Sequence, residues 1–466
     1  MKFRFSPISS VPIWFFLLCC LAWGGFVVIF GWSLKSTING SDASGWFGRT
    51  ALEIAGFPSQ SKIVLQEVFG LVSGGEKDKE FSVRRPADAD YSGFTPIEAA
   101  AGIDIRGLAM RVDRSAIADG WRILVGAFDV AGHAQNAAAL LSPDLKVIKV
   151  WRLAEAPLGG VEPQPPHLTL AHGFEALPDG SVIFTFDPKT SLQRQDACGK
   201  PVWGVAGHFH HAVTLDESGR SVWTFNGSGA VVEIDVADGQ TLRTLALKDL
   251  VDANPAASIL ELRRVHDNPA DRSLNSRNTS GRWLFDPLHL NDVDPLPSAI
   301  ADRFEGFSPG DLLISSRSLN LVFVADPDTA AIKWWRMGAT QRQHDPDWMA
   351  TGEISILDNQ MGRDFSKIVA IDPTTFRQRD LLDGAQNDFY TRIRGKHQIL
   401  ADGRLVVSSP QQGRAFEVSP AGKTVLDIVN LKPGADDTNY IISEIRWLPL
   451  DYFDPMAWEC PEGAAR

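Results

Sequence analysis

The sequence predicts an all-β fold, a six-bladed β-propeller, preceded by one transmembrane helix. From about residue 120, short apolar runs alternate with DG, SPD and PAG turns, as in antiparallel strands joined by tight turns. Several of these runs belong to an imperfect repeat that begins with a histidine. Residues 11–34 carry no charge, which is typical of a helix that crosses a membrane.

Composition limits the classes of function. The chain has 466 residues, 44% hydrophobic and 22% charged, which is enough for a large core. Its net charge is −12, and no run of Lys and Arg is present that would neutralise a phosphate backbone. We therefore expect no nucleic-acid partner.

The N-terminal segment is predicted to be a single-pass anchor. At about 1.5 Å per residue, 24 helical residues are long enough for a hydrocarbon core of about 30 Å. Lys2 and Arg4 precede it, so the N-terminus is expected in the cytoplasm and the remaining chain outside. A cleaved signal peptide is the alternative, but the run is longer than the usual apolar region of about 7–15 residues.

Four segments are predicted along the chain. They are a cytoplasmic N-terminus with the anchor (1–35), a stalk or linker (36–95), the propeller (96–450) and a C-terminal tail (451–466). The stalk contains a possible short helix, SKIVLQEVFGLV. Outside the anchor, Cys198 and Cys460 are compatible with one disulfide or with two free thiols.

The repeat sets the blade count. HGFEALPDGSVIFTFD (172–187), HHAVTLDESGRSVWTFNG (210–227) and KHQILADGRLVVSSP (396–410) share a His, an apolar pair, a turn and an apolar strand. A four-stranded blade takes about 40–50 residues, which fits the spacings between the repeated histidines. Six units can be counted, and seven blades remain an alternative.

A residue at the same position of successive repeats is brought to the propeller axis. The histidines at or near this position are His172, His211, His289, His344 and His397, with His208 and His210 beside the second. A structural role, with each imidazole bonding the next blade, is the alternative to a functional one. Metal binding is a further alternative, but no HExxH or CxxC is present and Arg317 would repel a cation. We expect neither a metal nor a cofactor.

The motifs HLNDVD, GDLLISSRSLNLVFVADPDTAAIKWWRMG, QHDPDW and ISILDNQ occur in this order. From about residue 95 to 430, the sequence resembles the arylsulfotransferase family. The resemblance implies a six-bladed propeller that moves a sulfuryl group from an aryl sulfate to a phenol or another hydroxyl acceptor without the nucleotide donor PAPS. It also implies a transiently sulfated histidine. Together with the predicted anchor, it leads us to expect a single-pass protein of the bacterial inner membrane whose C-terminal domain faces the periplasm.

Site residues follow from the same resemblance. His344 matches the nucleophile, His289 and Arg317 match residues that bind the sulfuryl oxygens, and His211 matches an upstream catalytic His. A supporting or substrate-binding role is predicted for a second group: Asn291, His210, His172 and His397. The chain departs from the family because the stretch that corresponds to the family's separate N-terminal β-domain is short here and follows the membrane anchor, so dimerisation and acceptor choice stay open.

The predicted chemistry suits these side chains. A guanidinium stabilises charge on sulfuryl oxygens, a neutral imidazole attacks sulfur, and other imidazoles move protons near neutral pH. The competing hypothesis is a propeller that binds a sulfated or acidic glycan, or a protein partner, without turnover.

Overall fold

The computed structural model describes most of the chain from residue 81 onward and one helix before it. The described residues are 13–38, 46–47, 50–51, 81–86, 89–163, 169–187, 190–227, 229–255, 260, 264–265, 282–283, 288–455, 457 and 460. The predicted helix in the stalk lies outside them. By contacts the chain divides into two units, residues 1–74 with 264–284, and residues 75–263 with 285–466.

The first unit contains helix α1 (Ile13–Ile38). The stretch Ile13–Ser33 is long and apolar enough to cross a membrane, a test that a signal sequence also passes. The helix therefore agrees with the predicted apolar segment. The same unit contains a two-stranded antiparallel ladder, formed by residues 264–265 and 282–283.

The second unit is mostly β and propeller-like. Its strands alternate buried residues with tight turns, because both faces of each sheet pack against neighbouring sheets. The strands that precede the first complete sheet are β1 (Ser82–Arg84), β2 (Thr95–Pro96), β3 (Ile105–Arg106) and β4 (Leu108–Val112). That sheet contains β5 (Trp121–Val130), β6 (His133–Leu141) and β7 (Val147–Arg152).

A seven-stranded sheet follows. It runs in sequence order through β8 (Leu170–Ala176), β9 (Val182–Asp187), β10 (Thr190–Gln195), β11 (Pro201–Leu215), β12 (Ser221–Asn226), β13 (Ala230–Asp235) and β14 (Thr241–Ala246). The first half of β11 pairs with β10, and its second half pairs with β12. Helix α2 (Leu247–Ala253) ends this part of the chain.

The next two sheets have four strands each. The chain first forms the ladder of β15 (Arg264–Val265) and β16 (Arg282–Trp283) in the first unit. One four-stranded sheet then contains β17 (Leu290–Pro295), β18 (Leu312–Ser316), β19 (Leu321–Ala325) and β20 (Ile332–Met337). The other contains β21 (His344–Trp348), β22 (Ile354–Asp358), β23 (Lys367–Ile371) and β24 (Gln378–Asp383). Helix α3 (Gly384–Asn387) follows β24. Short 3₁₀ turns cover Ser298–Arg303, Arg317–Leu319 and Pro410–Gln412.

The last strands close the arrangement against the first. They are β25 (His397–Ile399), β26 (Leu405–Ser409), β27 (Arg414–Val418), β28 (Thr424–Asn430), β29 (Thr438–Tyr440) and β30 (Ile442–Leu448). Strand β28 pairs with β4, β29 with β1, and β30 with β5. Pairing the end of the chain with its beginning removes exposed sheet edges.

Strand pairing distinguishes four blades, not the six that the repeat predicts. Two are the plain four-stranded sheets, and two are four-stranded sheets extended by early strands. The remaining seven-stranded sheet does not separate, because β11 is continuous. A disulfide between Cys198 and Cys460, whose Cα atoms are 5.6 Å apart, ties this sheet to the C-terminal tail. Of the two alternatives that the sequence left open, one disulfide or two free thiols, the structure thus has the disulfide.

The core consists of apolar slabs between neighbouring sheets. One slab lies between the sheets of β5–β7 and β25–β28 and includes Leu124, Phe128 and Ile428, all fully buried. Successive inner strands contact one another, β8 with β11, β11 with β17, and β17 with β21. This packing places the inner strands of successive sheets side by side.

Candidate active site

Four polar residues occupy one register position of the inner strands. The last residues of the inner strands that pair before the hairpin turn are Ala176, Leu215, Pro295 and Trp348. Four residues before each of these, in the same order, lie His172, His211, Asn291 and His344. A register shift interrupts the ladder at or just after each of them. Such bulges re-aim side chains and are common beside active sites.

The imidazoles form a contiguous cluster. The ring centroids of His172 and His211 are 4.2 Å apart, and those of His211 and His289 are 5.0 Å apart. Close approach of β8 and β11 depends on Gly173, where a Cβ would lie 2.2 Å from the carbonyl oxygen of His211. The predicted convergence of these histidines is therefore present in the structure.

Two of the histidines have a left-handed backbone. His211 has φ 64° and His289 has φ 48°, values that are uncommon for residues other than glycine. Strain of this kind persists only where the surrounding structure determines it, and it concentrates at functional sites. The strain marks the cluster as a candidate site.

Arg317 contacts the cluster through His289. Its Nη1 lies 2.9 Å from Nε2 of His289, and its backbone N–H donates to the His289 carbonyl at 3.1 Å. A guanidinium only donates, so Nε2 of His289 is the acceptor and the neutral ring carries its proton on Nδ1. Arg317 directly follows β18 and begins the 3₁₀ turn Arg317–Leu319.

His344 is 4% exposed and is bonded at both ring nitrogens. Its Nδ1 lies 2.7 Å from Oδ1 of Asn359, and its Nε2 accepts the backbone N–H of Arg394 at 3.2 Å. Burial, followed by the charge of Arg317, holds the pKa of His344 well below its usual 6.5. The imidazole is therefore neutral at pH 7.

His210 and His211 form a hydrogen-bonded pair. Nδ1 of His210 is 2.5 Å from Nδ1 of His211, and Nε2 of His210 is 2.8 Å from the carbonyl oxygen of Gly227. A carbonyl only accepts, so His210 donates from Nε2 and accepts from Nδ1–H of His211. Burial and the neighbouring imidazoles lower the pKa of His211 well below 6.5. His211 therefore presents an unprotonated Nε2.

His172 lies at the edge of the cluster next to an ion pair. Nη2 of Arg394 and Oδ2 of Asp187 are 2.8 Å apart. Burial and the charge of Arg394 lower the pKa of His172 to about 3. Arg394, Asp187 and Asn359 are site residues that the sequence reasoning missed. Only Asn359 had a signal, since it lies within the ISILDNQ motif.

Asn291 supports the backbone that leads to His344. Its Nδ2 donates to the carbonyl oxygen of Gln343 at 2.8 Å, and Asn291 is 2% exposed. Gln343 in turn donates to Ser315 and to the carbonyls of Ser316 and Leu321. Asn291 thus fixes the residue before His344.

His397 stands apart from the cluster. In β25 the register position of the other histidines is Gly395, and His397 is two residues nearer the turn. Its Nδ1 is 2.9 Å from Oδ2 of Asp345, and its Nε2 is 2.9 Å from Oγ of Ser355. Nothing in these contacts supports the predicted substrate-binding role of His397.

A cavity of about 740 Å³ begins beside the cluster and is strongly acidic. Its lining includes charged residues that lie one or three positions after the register position described above. They are Glu175, Asp292, Asp294, Asp345, Asp347 and Lys396. Burial and neighbouring carboxylates raise the pKa of Asp294 to about 8. Burial also raises the pKa of Asp292, to about 6, although Lys396 opposes this. None of the four predicted catalytic residues lines this cavity.

One group in the acidic cavity has the composition of a metal site. Ligand atoms of Asp345, Asp347 and His397 lie within 4.8 Å of one another. Both ring nitrogens of His397 are already bonded, however, and Nζ of Lys396 lies 2.7 Å from Oδ1 of Asp345. Two of the three side chains, Asp345 and His397, are thus already engaged by other groups of the protein.

A comparison with known protein families shows which family the chain belongs to. The arylsulfotransferase (ASST) family model matches residues 173–431, more than half of the sequence. The chain belongs to the arylsulfotransferase family. The matched region contains seven of the eight predicted site residues, all except His172. Family membership supports an arylsulfotransferase-like function in general terms.

No curated protein matches this arylsulfotransferase-family chain. Among solved structures, it is similar to a protein of unknown function from Bacteroides caccae, with a TM-score of 0.44 at 12% identity over 70% of this chain and 98% of that one. Virginiamycin B lyase from Staphylococcus aureus scores 0.33 at 10% identity, covering 60% and 84%. A chain of a nidogen/laminin complex scores 0.38 at 10% identity, covering 66% and 93%. At these values the three structures carry no information about activity.

Proposed function

We propose that the chain is a PAPS-independent sulfotransferase that moves a sulfuryl group from an aryl sulfate to a hydroxyl acceptor through a sulfated His344. The observation that carries this proposal is a buried, neutral imidazole next to the permanent charge of Arg317. A neutral imidazole is nucleophilic, and a fixed cation stabilises the charge that develops on sulfuryl oxygens.

In the first step, the Nε2 lone pair of His344 gives up the hydrogen bond from the Arg394 N–H and attacks sulfur. The bond between sulfur and the aryl oxygen breaks, and its electron pair leaves on the phenolate oxygen. Arg317 stabilises the sulfuryl oxygens, with His289 orienting the guanidinium through the 2.9 Å contact. The anionic donor raises the pKa of nearby imidazoles, which lets His211 take up a proton from solvent as the donor binds and pass it to the phenolate.

In the second step, the acceptor hydroxyl attacks the same sulfur. The N–S bond breaks, its electron pair returns to Nε2 of His344, and the hydroxyl proton goes to His211. The sum converts an aryl sulfate and an alcohol or phenol into a phenol and a new sulfate ester. Ping-pong kinetics follow, because one product leaves before the acceptor reacts.

Intact-protein mass spectrometry tests the proposal. The full chain in detergent is exposed briefly to p-nitrophenyl sulfate without acceptor. We expect a mass gain of one sulfuryl group on His344, lost on addition of phenol and missing from His344→Asn. The matched control is His133→Asn, since His133 begins β6 away from the cluster and its variant should gain the same mass.

The competing binding function has a distinct signature. Failure of every aryl sulfate in a donor panel to sulfate or turn over, together with saturable binding of a sulfated glycan, would replace the transferase with a binding propeller. Sulfation at a residue other than His344 would keep the activity and remove His344 from its role.

We further propose that the propeller has six blades. The support is the change of partner along β11, whose first half completes one four-stranded set with β8–β10 and whose second half begins another with β12–β14. Adding these two sets to the four separate sheets makes six. Six such blades would place the inner-strand histidines around one axis.

We also propose that α1 is an uncleaved inner-membrane anchor and that the propeller faces the periplasm. The support is the length of the apolar helix, with Lys2 and Arg4 before it. Alkaline carbonate extraction of membranes should leave the full chain in the pellet, and protease added to spheroplasts should digest the propeller. Release of a chain lacking residues 1–35 into the soluble periplasm would indicate a cleaved signal peptide instead.

A further inference from the structure

We propose that Asn359 is a positioning residue that fixes His344 in the tautomer with the proton on Nδ1 and the lone pair on Nε2. The inference rests on the proposed function in one respect, that Nε2 of His344 is the nucleophile. Asn359 is fully buried directly after β22, and its amide makes three hydrogen bonds.

The orientation of the Asn359 amide follows from its nitrogen. Nδ2 donates to the backbone carbonyls of Thr391 and Arg394, each at 2.8 Å. A flipped amide would turn its carbonyl oxygen toward these two acceptors and lose both bonds. Oδ1 must therefore be the atom that faces His344. Because Oδ1 only accepts, Nδ1 of His344, 2.7 Å away, must carry the proton.

The other side of the ring leads independently to the same tautomer. The backbone N–H of Arg394 points at Nε2 of His344 with an N···N distance of 3.2 Å. A backbone amide only donates, so Nε2 must offer a lone pair. Asn359 also holds this second contact in place, because it bonds the carbonyl of the same residue, Arg394. Arg394 has φ 62°, a left-handed conformation that this bond helps to maintain.

This arrangement serves both transfer steps. Before attack, the lone pair is on the nitrogen that accepts the Arg394 N–H, and the bond to sulfur replaces that hydrogen bond. When Nε2 bonds to sulfur, the ring gains positive charge, and the Nδ1–H bond to Oδ1 becomes charge-assisted and shorter. Asn359 therefore stabilises the sulfated ring without supplying a negative charge that would protonate the resting nucleophile.

The test combines ¹⁵N NMR of the full chain, labelled at histidine, with single-turnover sulfation by p-nitrophenyl sulfate. In the wild type, Nε2 of His344 should show the shift of an unprotonated nitrogen. In Asn359→Leu the ring should lose this single tautomer, and sulfation should slow by about 100-fold or more, in line with the effect of a misassigned tautomer on a catalytic imidazole. Donor affinity should change much less than the rate.

Ser366→Ala is the matched control. The Ser366 hydroxyl hydrogen-bonds the carbonyls of Asn359 and Thr391 and accepts the N–H of Thr391, so it anchors the same loop without touching the imidazole. This variant should keep the wild-type tautomer and nearly the wild-type rate. An equal loss of rate in Ser366→Ala, with the tautomer intact, would show that loop anchoring and not the tautomer matters.

A second variant guards against misfolding. In Asn359→Asp the carboxylate still accepts from Nδ1 but raises the pKa of His344, so the pH below which sulfation is lost should move upward. A wild-type tautomer in Asn359→Leu, or an unshifted pH profile in Asn359→Asp, would overturn the proposal. If no donor sulfates the wild type, the proposed function fails, whereas the NMR comparison still decides the role of Asn359.

Discussion

Breaking the buried ion pair between Arg122 and Glu417 should destabilise the propeller strongly. Both side chains are 0% exposed, and they join β5 near the start of the propeller to β27 near its end. Arg122 donates from Nε to the carboxylate and from its other nitrogens to two backbone carbonyls, so Glu417 supplies its only compensating charge among these contacts. Glu417→Gln leaves that charge buried, which typically costs about 3–5 kcal/mol.

Urea unfolding monitored by tryptophan fluorescence measures this effect. The double variant Arg122→Met with Glu417→Leu removes both charges, and we expect its free energy of unfolding to lie within about 2 kcal/mol of the wild type. Arg106→Gln is the exposed control. Arg106 and its partner Asp104 are about half exposed, so we expect a change below about 1 kcal/mol. A loss below about 1 kcal/mol in Glu417→Gln, or a double variant as unstable as the single one, would refute the reasoning.

The remaining predictions concern the disulfide, His344, Arg317 and Asn291. Cys198→Ser opens a disulfide between residues 262 apart in sequence and should cost about 2–5 kcal/mol, matched by dithiothreitol treatment of the wild type in thermal unfolding; equal stability with and without reductant would contradict it. Neutral His344 is the reactive form and its pKa is lowered, and p-nitrophenolate leaves without needing a proton from His211. Sulfation by p-nitrophenyl sulfate should therefore be flat near neutral pH and fall only as pH drops through that low pKa. Arg317→Gln should slow sulfation by about 10²–10³-fold and move this fall to higher pH, whereas an unshifted pH profile would exclude the electrostatic role. Asn291→Ala frees the carbonyl of Gln343 and should lower kcat by about 10- to 100-fold with little change in donor KM; an effect on KM alone would indicate substrate binding instead.

Periodicity and turn chemistry predicted much of the fold. The uncharged segment 11–34 corresponds to α1, and the alternating runs after residue 120 correspond to β5 onward. The separation of blades was harder to predict, because a boundary between blades is usually marked by a turn. Strand β11 changes partners near Phe209 within one continuous extended segment, so no turn residue marks that boundary.

The candidate site residues that could be predicted from the repeat are those whose residue type recurs from one repeat to the next. His172, His211 and His344 share a register position, and their repeated His is visible in the sequence. His397 was grouped with them because the repeats were aligned on the histidine itself. Aligned on the end of the hairpin, the equivalent residue is Gly395. Bulges shift side chains without leaving a sequence signal.

Arg394 could not be predicted for a different reason. It contributes to the site through its backbone N–H and its left-handed conformation as well as its side chain. A backbone donor is available from any residue except proline, so residue type does not identify it. Its place in the site depends on the loop after α3, which Asn359 and Ser366 hold by hydrogen bonds to its carbonyls.

His344 stays neutral only if the negative charge of the acidic cavity next to it is paired with positive charge. Asp345 follows His344 directly, and an uncompensated carboxylate there would favour the imidazolium form. Burial alone would raise the pKa of Asp345, but Lys396 and His397 hold it below its ordinary value, so the carboxylate stays ionised and paired. Nζ of Lys396 lies 2.5 Å from Asp292 and 2.7 Å from Asp345. Because Lys396 pairs with the Asp345 carboxylate, the largest charge effect on His344 is that of Arg317, which together with burial keeps the imidazole neutral. The acidic cavity and the neutral imidazole are therefore one residue apart on β21.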